Sequence, residues 1–166
     1  MFMYYLAYGS NMSLRRMIAR IPGAERIGIA ILEGHQLRFH KISQKDGSGK
    51  CDILQTDNRQ HHVHGVLFKI TPEEKSILDE IEGLGVGYDE KVVTVILQNG
   101  KKQTASVFYA ITIDNSLKPF HWYKEHVLRG AKENGFPKSY IEELEKVRSI
   151  ADHDQERHKH EIALYR

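Results

Sequence analysis

Three groups of residues in this 166-residue chain have types and spacings that could do chemistry. The first is Tyr8-Gly9-Ser10-Asn11-Met12, a polar turn that cuts off the apolar run begun at Met3. A strand entering such a turn just ahead of a helix leaves backbone N–H groups unpaired and pointing the same way, which suits a carboxylate or a phosphate. Gly9 permits close backbone approach or a positive φ, and Ser10 and Asn11 add side-chain donors. A strand-to-helix turn with nothing bound is the plain alternative.

The second group, Leu78-Asp79-Glu80-Ile81-Glu82-Gly83, puts three carboxylates at the C-terminal end of a helix, where the macrodipole disfavours negative charge. Asp79 and Glu82 are three residues apart and share a face, while Glu80 points elsewhere. A carboxylate held against the dipole beside Ile81 is expected to keep its proton to higher pH, as a general base near neutrality needs. A solvated acidic helix end would look the same. The third group is Tyr88, His121, Trp122, Tyr123 and the run Gly130-Ala131-Lys132-Glu133-Asn134-Gly135. Aromatics at helical spacing fit a core as readily as a site, and Asn-Gly before Phe136-Pro137 is ordinary helix-ending chemistry.

Other candidates carry less. His62 and His64 share a strand face next to His61, and His153, His158 and His160 lie near the end. Neither set has a companion cysteine or an HExxH spacing, so no metal is assigned. Cys51 has no evident general base and is read as lying in a flexible loop, which argues against a nucleophile.

The elements that must position these residues mix strands and helices with no βαβ repeat. Residues 3–8 read as a strand, and Ser13 can cap a short helix to about Ile21. Residues 27–42 read as two strands about Glu33-Gly34-His35, and Gln44–Asn58 as a mobile loop. Val63–Ile70 is a strand. The next helix has Thr71 as N-cap, Pro72 at its first position, Glu74 closing a capping box, an apolar face of Ile77, Leu78 and Ile81, and Gly83 at its end. Tyr88–Leu97 and Thr104–Ile111 flank Asn99-Gly100 as a hairpin. Helices follow over about 119–133 and 138–149, then a His- and charge-rich segment read as a solvated tail. The class is α+β, with a main domain over 1–150 and the tail over 151–166.

Composition narrows the function. Twenty-four basic and 22 acidic residues leave a net charge of +2, which makes no electrostatic case for nucleic acid. A single cysteine rules out an intrachain disulfide and fits a reducing compartment. No segment approaches the roughly 20 apolar residues of a membrane span, and the short N-terminal apolar run lacks a basic leader. The expectation is a cytoplasmic protein without membrane contact.

In order along the chain, the Tyr-Gly-Ser-Asn-Met turn, the Leu-Asp-Glu-Ile-Glu-Gly helix end, Tyr88, and Tyr123 followed by Gly-Ala-Lys-Glu-Asn-Gly resemble the γ-glutamylcyclotransferase family over about residues 4–148. The turn is less like that of the glutathione-specific branch, which reads Tyr-Gly-Ser-Leu. The resemblance implies a mostly antiparallel, partly barrel-like sheet flanked by helices. It also implies an intramolecular acyl transfer of the amidine-lyase-like type, in which the α-amine of a γ-glutamyl dipeptide or amine attacks its own γ-carbonyl and releases 5-oxoproline. In that scheme Glu82 is the catalytic acid/base; Tyr8, Gly9, Ser10, Asn11 and Met12 hold the substrate; Tyr88 and Tyr123 line the site. No metal or organic cofactor is implied. The partner is a small γ-glutamyl substrate, and a homodimer is left open. Removal of a γ-glutamyl protecting group from a larger amine, and a non-catalytic γ-glutamyl or carboxylate-binding module, are the competing readings. The Gln44–His62 stretch and the tail fall outside the motifs, so the leaving amine is unspecified.

Overall fold

A computed structural model of the protein describes residues 1–166. Strand β1 (Met3–Ala7) passes through one 3-10 turn at Ser10–Met12 into helix α1 (Leu14–Arg20), whose Ser13 cap accepts from the Arg16 amide. Strands β2 (Glu25–Glu33), β3 (His35–Ile42), β4 (Gly49–Gln55) and β5 (His62–Ile70) follow. Then come helix α2 (Pro72–Glu82), strands β6 (Tyr88–Leu97) and β7 (Lys102–Ala110), and helices α3 (His121–Glu133), α4 (Lys138–Lys146) and α5 (Gln155–Ile162).

The α+β class stands as expected. Five strands close into a barrel in the order β1-β5-β2-β6-β7, antiparallel except where Tyr5 of β1 meets Ser106 of β7 in parallel. The β6–β7 hairpin turns at Asn99-Gly100, with Gly100 at φ +81°, the left-handed geometry that such tight turns require. The two strands read about Glu33-Gly34-His35 are present, but they part company: β2 joins the barrel and β3 pairs with β4 as a separate two-stranded sheet.

Two expectations are corrected. The stretch 44–58 is not a mobile loop, because it contains β4, with Cys51, Asp52 and Ile53 all buried. Its polar residues masked the strand, yet they are satisfied inside the fold: Asp52 lies 2.6 Å from His40 Nε2 and accepts from the Ala110 amide at 2.8 Å. The C-terminal segment is not a solvated tail either. Asp154 caps α5, Asp152 takes the Trp122 indole N–H at 2.8 Å, and Glu161 reaches Arg16 at 2.7 Å.

Helix α2 has both halves of the Thr71–Glu74 capping box and ends at Gly83 with φ +72°. Such a cap stabilises by about 1 kcal/mol. The face it buries differs from the expected apolar stripe, since Ile77 is 49% exposed. Lys75 is buried instead, paired with Asp79 and with Glu90 of β6 at 2.7 Å, its ammonium above the Phe108 ring. The inward face therefore runs through Lys75, Leu78 and, one turn on, Glu82. Leu78 is fully buried. The helix that anchors Leu78 in the core thus delivers Glu82 to the β1 turn.

Candidate active site

The turn after β1 and the end of α2 meet over a pit of about 30 Å³, roughly the room of one water, lined by Gly9, Ser10, Asn11, Glu82, Tyr123 and the rings of Tyr5, Tyr8, Tyr88 and Phe108. Within the turn, the Met12 and Ser13 amides bond back to the Gly9 and Ser10 carbonyls. The N–H groups of Gly9, Ser10 and Asn11 come before the first of these bonds and have no partner inside the turn. Gly9 is needed for approach, not for a positive φ: its φ is −115°, but a Cβ there would lie 2.9 Å from Cys51 Cβ and 3.2 Å from the Tyr123 hydroxyl.

Asn11 joins the two halves. Its Nδ2 donates to Glu82 Oε1 at 2.9 Å and to the Tyr5 hydroxyl at 3.1 Å. Arg20 Nη1 donates to the same Glu82 oxygen at 3.2 Å and to Asn11 Oδ1 at 3.3 Å. Both donors to Glu82 end on Oε1, which fixes the carboxylate and leaves Oε2 without a protein donor. Of the two carboxylates on the shared helix face, Asp79 is taken by Lys75, so Glu82 alone reaches the turn.

The tyrosines form walls and hold strands. Tyr8 donates to the Phe108 carbonyl at 2.6 Å, Tyr88 donates to the Cys51 carbonyl at 2.6 Å, and the Tyr123 hydroxyl accepts from the Cys51 amide at 3.0 Å. Burial raises all three phenols well above their ordinary range, so they stay protonated at neutral pH. Cys51 lies between them, its thiol pushed up to about 12 by burial, which leaves it a packing group.

A second layer braces the turn. Arg16 Nε donates to Ser10 Oγ at 3.1 Å while its Nη1 reaches Glu161, and His126 Nε2 lies 3.0 Å from the same Glu161 oxygen. The Tyr165 hydroxyl donates to Ser13 Oγ at 3.0 Å. On the other side α3 comes so close that a Cβ on Gly130 would sit 2.6 Å from Met12 Cβ. Asn134 Nδ2 donates to the Met12 carbonyl at 3.1 Å. The Gly130–Asn134 run thus does more than end a helix.

Beyond the pit the site opens into a groove of about 390 Å³ that shares Ser10, Glu82, Tyr88 and Tyr123 with it. Arg16, Arg20, Lys41, Lys50 and Arg157 line it, with Asp46, Glu80 and Glu161. Lys50 donates to Asp46 at 3.0 Å and stacks its ammonium over Trp122 and Tyr123; burial draws it down to about 8.

Of the residues singled out from sequence, Tyr8, Gly9, Ser10, Asn11, Glu82, Tyr88 and Tyr123 converge on the pit. Met12 does not: its side chain is fully buried against α3 and only its backbone serves the turn. His121 turns outward to Ser149, and no cluster of three or more His, Cys, Asp or Glu is placed to hold a metal ion. Sequence reading missed Tyr5, Arg16, Arg20, Lys41, Lys50 and Phe108, and placed Cys51 in a loop rather than in β4. Period-two alternation in β1 could have flagged Tyr5, whereas the β4 residues needed that strand to be recognised first.

Known proteins share the sequence and the fold. A sequence model of the AIG2-like family matches residues 62–144. The human gamma-glutamylcyclotransferase is 36% identical, over 86% of this chain and 77% of its own length. A solved gamma-glutamyl cyclotransferase superposes with a TM-score of 0.84 at 29% identity, covering 96% of this chain and 99% of the other. The crystal structure of an uncharacterized Homo sapiens protein gives 0.82 at 30% identity, over 94% and 96%. No helix is long and apolar enough to cross a membrane.

Proposed function

This chain belongs to the γ-glutamylcyclotransferase (AIG2-like) family, and from that premise we propose that it cyclises γ-glutamyl compounds to 5-oxoproline with release of the amine. The observation that carries the proposal is the 2.9 Å bond from Asn11 to Glu82, which ties the turn and the helix end into one site. The turn binds the substrate's α-carboxylate through the free amides of Gly9–Asn11 and polarises the γ-carbonyl. Glu82 Oε2 takes a proton from the α-ammonium. The freed amine attacks the γ-carbonyl, the new C–N bond closes the five-membered ring, and the old C–N bond breaks as Glu82 returns its proton to the departing nitrogen; the ring nitrogen gives up its second proton through the same carboxylate, which leaves the lactam N–H and the released amine as its ammonium. Atoms balance with no cofactor. Because nucleophile and electrophile belong to one molecule, holding it folded at the mouth of this aromatic-walled pit supplies much of the rate.

Proton transfer of this kind contributes about 10²- to 10⁴-fold. The native protein, incubated with γ-glutamyl dipeptides, γ-glutamyl amines and glutathione, is expected to release 5-oxoproline from at least one of them, read by mass spectrometry. Glu82→Gln should lose at least about a hundredfold in kcat. A Gln variant with full activity would remove Glu82 from the mechanism, and binding without turnover by the native protein would make it a binding module. We place the reaction in the cytoplasm, since one buried free thiol needs no oxidising compartment.

A further inference from the structure

Asn11 and Arg20 bracket the first helix: Asn11 stands in the turn that leads into α1, and Arg20 is its last residue. A cation suits that end, where the helix macrodipole favours positive charge. Met17 before it and Ile21 after it are fully buried, so the backbone that carries Arg20 is fixed in the core. The guanidinium does not run out into solvent as a surface arginine would. It turns back toward the start of its own helix, and a single nitrogen, Nη1, serves Asn11 Oδ1 at 3.3 Å and Glu82 Oε1 at 3.2 Å.

That nitrogen acts on Glu82 twice. Directly, a cation so close favours the charged form of a carboxylate, the form that can accept a proton. Indirectly, it fixes Asn11. A carboxamide has an acceptor oxygen and a donor nitrogen of nearly the same shape, and its partners decide which way it faces. Arg20 can only donate, so it claims the oxygen, and Asn11 Nδ2 is left to face Glu82 Oε1 and the Tyr5 hydroxyl. Turned over, the amide would set its oxygen against the carboxylate. The other charged groups around Glu82 do not do this. Asp79 is held by Lys75, Glu80 is a second anion of the same helix, and Lys41 and Arg16 feel the Glu82 charge without bonding to it. The nearby phenols of Tyr5, Tyr88 and Tyr123 stay neutral.

We propose that Arg20 is a positioning residue of the reaction: it holds Glu82 Oε1 and the Asn11 amide together, so that Oε2 is the oxygen left to take the proton. The proposal rests on the cyclotransferase reading above for what Glu82 does. Arg20 itself touches no reacting atom. Arg16, by contrast, pairs with Glu161 and holds Ser10, so it supports the turn and not the base. Loss of Arg20 therefore shows in the chemical step more than in binding.

Arg20→Met removes both the charge and the bonds, whereas Arg20→Lys keeps a charge without the fixed geometry of the guanidinium. The Met variant is expected to lose about ten- to a hundredfold in kcat, with KM within about twofold of native. The acid limb of its kcat/KM profile should move to higher pH. Arg20→Lys should return that limb to its native position while recovering only part of kcat. Both should fold, because Glu82 keeps its Asn11 bond and both side chains of the ion pair reach solvent. Circular dichroism checks this, and Arg20→Gln serves as a second neutral variant. Native kcat with an unmoved acid limb in the neutral variants, or a loss lying wholly in KM, would overturn the role. NMR titration of the ¹³C-labelled Glu82 carboxyl, assigned by its loss in Glu82→Gln, reads the same contact without turnover. Its midpoint should rise in Arg20→Met and stay in place in Arg20→Lys; an unmoved midpoint in the Met variant also overturns the role. Absence of 5-oxoproline from the native protein, with the midpoint shifted as expected, would instead overturn the cyclotransferase reading and leave Arg20 as the residue that orients this carboxylate.

Discussion

Arg16 Nη1 lies 2.7 Å from Glu161 Oε2, so the first helix is tied to a residue 145 positions later, and the same guanidinium holds Ser10 through its Nε at 3.1 Å. The last helix therefore braces the turn after β1 at one remove. Both partners are largely buried, with side chains 9% and 19% exposed. Breaking such a pair leaves an uncompensated charge.

Glu161→Gln is accordingly expected to cost about 2 to 3 kcal/mol of stability and to raise KM severalfold with a smaller effect on kcat. Denaturant titration and steady-state kinetics measure the two. Removal of residues 151–166 should do both more strongly. Unchanged kinetics in a truncated, folded protein would detach the segment from the site.

The same pair makes a pH prediction. Burial acts to raise the Glu161 carboxyl, but the His126 hydrogen bond and the Arg16 charge outweigh it and hold the group at about 2 against an ordinary 4.5. A depressed folded pKa contributes stability that is complete above about 4.5 and is lost as pH falls toward 2. Denaturation curves collected across that window should fall more steeply for the native protein than for Glu161→Gln.

Asp79 and Glu82 share a helix face, so substituting each separates structure from chemistry. Asp79→Asn should retain turnover within a few-fold while losing about 1 kcal/mol of stability, because Asp79 holds the buried Lys75 and does not reach the turn. Glu82→Gln should lose turnover outright, with a stability loss limited to its half-buried ion pair with Arg20. Thermal melts alongside the 5-oxoproline assay decide it.

Gly9→Ala puts a methyl 2.9 Å from Cys51 Cβ and 3.2 Å from the Tyr123 hydroxyl. Such overpacking costs about 1 to 3 kcal/mol and displaces the turn amides. The expected result is a folded protein with at least a tenfold loss in kcat/KM, read by kinetics and circular dichroism together.

Local chemistry made much of this molecule legible. Thr71, Pro72, Glu74 and Gly83 bound α2 through capping bonds and backbone preferences that need no distant partner. Asn99-Gly100 sets the β6–β7 hairpin for the same reason, and Ser13 starts α1. The turn at Gly9–Asn11 and the carboxylate Glu82 were likewise nameable from residue type, position and resemblance.

Other features rest on partners far away in the chain. Gly47, Ser48, Gly49 and the polar residues around them made β4 look like a loop, and only Asp46, His40 and the Ala110 amide make Lys50 and Asp52 tolerable inside. The charged last helix looked solvated because its docking runs through Arg16 and Trp122, which no local pattern reveals. Resemblance singled out Glu82 over Asp79, but the physical reason for that difference is tertiary. Both occupy the same helical face, but Lys75 and Glu90 settle how that face is turned and which carboxylate is consumed. Sequence alone determined the elements whose ends are closed by bonds a few residues long. The closed barrel decided which strands lie side by side, and contacts with distant chain then set which of two equivalent acids faces the turn.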